Sequence, residues 1–174
     1  NRKRSRDRSV EISAAGREIG PLPEVVDPSR KSKSRRNLKR FLDVYFPEVF
    51  SMPWSPDHSK AIQKIQTSIL RGGLYAFAMP RGSGKTSLVE CASIWALLYG
   101  HRRFVVLVGA DLGIAQDNLA SIKTHLELNP TIAEDFPEVV HPIRSLERIA
   151  HRAGGQVLDG RATLIGWKAD EIVL

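Results

Sequence analysis

Leu74-Tyr75-Ala76-Phe77-Ala78-Met79 runs directly into Pro80-Arg81-Gly82-Ser83-Gly84-Lys85-Thr86, and helical spacing follows from Ser87 to Tyr99. An apolar run, a glycine-rich turn and a helix, in that order, suit the gripping of a phosphate chain. Gly82 and Gly84 let the backbone curl so that successive N–H groups turn toward a polyanion. The helix that starts near Lys85 aims the positive end of its dipole at the same point. The candidate binding set is therefore Pro80, Arg81, Gly82, Ser83, Gly84, Lys85 and Thr86. Lys85 is placed for β- and γ-phosphate oxygens, and the Thr86 hydroxyl for Mg²⁺. The usual pattern G-x-x-x-x-G-K-[ST] is broken at its first position, where Met79 stands. A bare G-K-T also arises by chance, and the flanking strand and helix are what make a nucleotide-binding P-loop the expected reading.

Outward from the loop, the chain alternates. Ser55-Pro56-Asp57 reads as a helix start, with a capping hydroxyl, proline at the first helical position and an acid in the first turn. Ala61, Ile62, Ile65 and Ile69 then form one apolar stripe, ended by Arg71-Gly72-Gly73. Residues 74–79 read as a strand buried on both faces. After the loop, Leu88, Ala92, Trp95 and Tyr99 mark one face of a helix that stops at Gly100. Phe104-Val105-Val106-Leu107-Val108 reads as a second buried strand. Asp111 caps a further helix with the stripe Ala115, Leu119, Ile122 and Leu126, closed by Asn129-Pro130. This order predicts an α/β fold of the P-loop NTPase class, a doubly wound, mainly parallel sheet, incomplete in this chain. Beyond it, a short helix is expected over 142–150. A hairpin is expected over 156–165, with Asp159-Gly160 at its turn. Phe-Pro-Glu-Val occurs at 46–49 and 136–139 without matching flanks, so it is no repeat.

Composition narrows the class. The chain has 174 residues, 42% apolar and 26% charged, as ordinary soluble domains are. Its single cysteine, Cys91, excludes an internal disulfide framework, suits a reducing compartment and reads as a small buried hydrophobe. No apolar stretch nears the roughly 20 residues that span a bilayer. The opening Asn-Arg-Lys-Arg lacks a signal-peptide core. The expected location is cytoplasmic. The net charge of +7 is uneven: residues 1–40 carry 13 Lys and Arg against 5 Asp and Glu, and the remainder is nearly balanced. Residues 1–40 are thus expected to be a basic, flexible arm and 41–174 the front part of an ATPase domain. The arm suits sequence-blind contact with nucleic acid phosphates, or is simply solvated.

Hydrolysis needs an acid at the end of a neighbouring strand. Asp111 follows an apolar run but is better explained as a helix cap, and Asp170-Glu171 precedes its run instead of ending it. The expectation is a catalytic acid beyond Leu174.

Residues 41–174 resemble the N-terminal ATPase region of phage terminase large subunits and their prophage relatives. The likeness rests on Met79-Pro80-Arg81-Gly82-Ser83-Gly84-Lys85-Thr86, on Val106-Leu107-Val108-Gly109-Ala110, on Ala115-Gln116-Asp117 and on Asp135-Phe136-Pro137-Glu138. An arginine inside the loop and a lost first glycine are typical of that family. The resemblance implies ATP and Mg²⁺ as ligands, Lys85 and Arg81 as catalytic residues and double-stranded DNA as the partner. It further implies a homo-oligomeric ring that meets a portal and a small terminase subunit. It suggests that Arg81 stabilises charge at the γ-phosphate in cis, against the plainer reading of a solvated side chain. Trp54 reads either as a stack for adenine or as core or hinge packing. His58 reads as a surface or capping residue. Alternatives are a small kinase, a helicase-like ATPase, or a nucleic-acid-binding module with a vestigial loop.

Overall fold

A computed structural model describes residues 17–174, and residues 1–16 of the expected arm lie outside the described residues. The chain divides into two compact units. One is Val25–Asp135, and the other joins the segment ending at Glu24 to Phe136–Leu174.

Helices build the first unit: α1 (Pro28–Ser34), α2 (Leu38–Tyr45), α3 (Pro56–Arg71), α4 (Lys85–Leu98), α5 (Leu112–Leu128) and α6 (Pro130–Asp135). Their starts follow local chemistry. Asp27, Asn37, Ser55 and Asp111 each accept a backbone N–H from the first turn of the helix they precede. Helix α4 is the centre of the unit, with Leu88, Cys91, Ala92, Ile94, Trp95 and Ala96 all buried. Phe41, Leu42, Tyr45 and Phe46 from α2 and its end, Ile62 from α3 and Ile122 and Leu126 from α5 complete the core. Burial pushes the Cys91 thiol well above its ordinary range, so it behaves as the small hydrophobe its position suggested.

Residues 28–40, assigned to the arm on composition, are largely helical, with Ser34 and Leu38 buried. A polar knot holds this region. Asp135, fully buried, receives Arg30 Nε at 2.7 Å and Nη2 at 2.8 Å, and the Tyr45 hydroxyl. Backbone carbonyls of Lys31 and Ser34 accept from Tyr99 Oη and Trp95 Nε1.

The expected doubly wound parallel sheet is not there. Among the described residues the only sheets are two antiparallel pairs, both in the second unit. Residues 74–79 and 104–108 belong to no helix or strand and pair with nothing described, and they are largely exposed: Leu74 101%, Phe104 81%, Val108 87%. A continuous apolar run shows that a segment can serve as a buried strand but carries no information about its partner. Here α4 packs on α2, α3 and α5, burying Ala61 and Ile62 of the α3 stripe and Ile122 and Leu126 of the α5 stripe and leaving the rest of both stripes half-buried.

In the second unit, α7 (Pro137–Arg144) starts earlier than the helix expected over 142–150 and ends sooner. Glu147 and Arg148 take positive φ, which no helix continues through. A 3-10 turn (Ala150–Ala153) follows, then β1 (Val157–Leu158), β2 (Arg161–Ala162), β3 (Gly166–Trp167) and β4 (Ile172–Val173). The β1–β2 hairpin turns at Asp159 (φ 50°) and Gly160 (φ 73°), the two left-handed residues that a type I′ turn requires. Among the described residues no helix is long and apolar enough to cross a membrane.

Candidate functional site

The segment 80–86 folds as the turn its sequence predicts, directly onto the N-terminus of α4. Gly82 (φ 81°) and Gly84 (φ 71°) both occupy the left-handed region that favours glycine. Met79 does not, so the missing first glycine of the motif creates no strain here. Ser83 N–H donates to Pro80 O at 3.3 Å and closes the turn.

The loop sorts its backbone dipoles. The carbonyls of Met79 and Pro80 accept from Lys85 Nζ at 2.8 and 2.7 Å, and the Ser83 carbonyl is held by His58 Nε2 at 2.9 Å. By contrast, the amides of Gly82, Gly84, Lys85 and Thr86 have no acceptor among the described residues. Gly84 caps α4 without a side chain, so the first amides of the helix stay open. Carbonyls of Met79, Pro80 and Ser83 occupied and four amides free suit an anion.

Beside the loop lies a cleft of about 230 Å³. Gly82, Ser83 and Gly84 form one wall, and Phe50, Trp54 and His58 another. Trp54 is half-buried, its ring 4.9 Å from that of Phe50, and its Nε1 donates to Asp43 Oδ1 at 2.6 Å. It belongs to the wall of the cleft and not to the core. No acidic residue lines this cleft. A larger hollow of about 480 Å³ in the second unit, beside Glu138, Asp159 and Arg161, gathers none of the loop residues.

Arg81 is exposed and makes no side-chain hydrogen bond or ion pair among the described residues. Thr86 is exposed on the first turn of α4. Magnesium takes most of its ligands from phosphate and water, so one exposed hydroxyl beside the loop fits it. Among the described residues no cluster of three or more His, Cys, Asp or Glu could hold a metal by itself. Asp111 serves as the cap of α5, accepting from Ile114 N at 2.9 Å.

Two residues acquire a place that the sequence did not give them. His58 does more than lie on a first turn, because it reaches the loop. Ser55 does more than cap α3, because its hydroxyl also meets His58 Nδ1 at 2.7 Å. The i, i+3 spacing from the Ser55 cap could have signalled the second contact, but nothing local signals the first.

No family model, curated protein or solved structure matches this chain.

Proposed function

We propose that this chain binds a nucleoside triphosphate, ATP with Mg²⁺, at residues 80–86. On the resemblance noted above, it does so as the nucleotide-binding part of a cytoplasmic DNA-packaging motor of the terminase large-subunit kind. One observation carries the reading: the carbonyls of Met79, Pro80, Ser83 and Gly84 are each occupied, while the amides of Gly82, Gly84, Lys85 and Thr86 have no acceptor among the described residues. The reading rests on this loop and its helix and makes no use of a parallel sheet.

Each residue then has a task. The amides of Gly82, Gly84, Lys85 and Thr86 receive phosphate oxygens, reinforced by the dipole of α4. Lys85, held at the lip by two carbonyls, turns the remaining donor of its ammonium to phosphate oxygens. The Thr86 hydroxyl is the protein's ligand to Mg²⁺, whose role is to neutralise phosphate charge. Arg81, free and adjacent, supplies a second cation. The Phe50–Trp54 wall offers the base an aromatic face. Exposed Lys33, Arg35, Arg36 and Arg40 give duplex DNA a basic surface on α1, α2 and the turn between them.

The test is calorimetric titration of the chain with Mg²⁺–ATP. Lys85→Ala is expected to weaken binding roughly 10- to 100-fold, the cost of a charge-assisted contact. Binding that survives this change undiminished overturns the reading.

A further inference from the structure

We infer that His58 is a positioning residue that fixes the Ser83–Gly84 peptide in its phosphate-accepting orientation, an inference that rests on the triphosphate-binding reading above. A carbonyl oxygen only accepts, so the 2.9 Å contact between His58 Nε2 and Ser83 O is a donation from Nε2–H. Nδ1 meets the Ser55 hydroxyl at 2.7 Å, accepting its proton when the ring is neutral. The same hydroxyl accepts the His58 backbone N–H at 3.2 Å as the cap of α3. The imidazole is thereby oriented by a helix end, and its outer nitrogen is delivered to the loop.

The consequence is geometric. In a trans peptide the C=O and the following N–H point to opposite sides. Drawing the Ser83 carbonyl to His58 turns the Gly84 N–H away from His58 and leaves it open beside the amides of Lys85 and Thr86. Rotating this one peptide plane would put a carbonyl where the N–H now lies, and attraction for phosphate would become repulsion. The loop sequence does not prevent that rotation, because glycine at 84 populates both signs of φ. Nor does the Ser83 side chain, whose buried hydroxyl has no hydrogen-bond partner among the described residues. The tether on the carbonyl comes from α3, 25 residues away in sequence.

Titration of the full chain with Mg²⁺–tripolyphosphate and with Mg²⁺–ATP tests this. His58→Phe keeps a ring beside Trp54 but cannot donate, and is expected to weaken both probes about tenfold. His58→Gln retains a donor on a side chain of similar reach and is expected to stay within about threefold of wild type. A merely structural role would make affinity follow melting temperature in both variants. Positioning requires the two to differ in affinity while melting alike. Should His58→Phe fail to fold, His58→Ala carries the same expectation. Donor-less variants that bind like wild type, or a glutamine variant as weak as they are, overturn the inference while leaving the loop itself intact. If neither probe binds the wild-type chain, the nucleotide reading fails, and this inference fails with it.

Discussion

At the scale of single residues, Asp135 shows how one carboxylate can hold a segment that composition alone marks as loose. Burial by itself would favour its neutral form, but hydrogen bonds from Arg30 and Tyr45 outweigh that and hold the carboxyl below its ordinary 3.8. A carboxyl lowered on folding contributes stability that is complete above the unfolded-chain value. That contribution is lost as pH falls toward the lowered folded value. Asp135→Asn leaves Arg30 without its buried partner and is expected to cost about 3 kcal/mol. Urea denaturation at neutral pH measures it, and the variant's stability should also fall less than wild type's between about pH 5 and pH 2. A variant as stable as wild type at neutral pH would show that Arg30 and Tyr45 are satisfied without this carboxylate. His58 belongs to the same scale. Its chemistry was visible in the sequence, but its partner, the Ser83 carbonyl, was not, because that contact exists only once α3 and the loop are placed together.

At the scale of elements, what could be read from the sequence was whatever local chemistry decides. Ser55 before Pro56 starts α3 and Asp111 starts α5, because a side-chain oxygen three residues from an orphan N–H caps it whatever surrounds it. Asp159-Gly160 makes its turn for the same local reason. The two apolar runs were misread because pairing is not local. Val106 and Val108 have the branched shape that strands favour, yet shape does not supply a neighbour. This correction has a direct check. Val108 is 87% exposed, so Val108→Lys should change stability by less than about 0.5 kcal/mol in thermal or urea unfolding. In a strand covered on both faces, the same lysine would bury a charge and cost several times more. A large loss would restore the sheet.

At the scale of the whole molecule, the features on which the proposed function rests fall in the Val25–Asp135 unit: the loop, the aromatic cleft and the basic turn between α1 and α2. The net charge of +7 is concentrated in residues 1–40, so the proposed polyanion attraction is set near the start of the chain, whereas the proposed triphosphate site draws on backbone dipoles. The central claim is that open main-chain amides at the head of α4 receive the phosphates. It is tested most directly by following backbone amide resonances of the full chain during titration with Mg²⁺ and a non-hydrolysable ATP analogue. The account expects the largest shifts at Gly82, Gly84, Lys85 and Thr86, saturating together at one ligand concentration. Saturable shifts confined to other residues, such as those around Asp159 and Arg161, with these four amides unmoved, would contradict it.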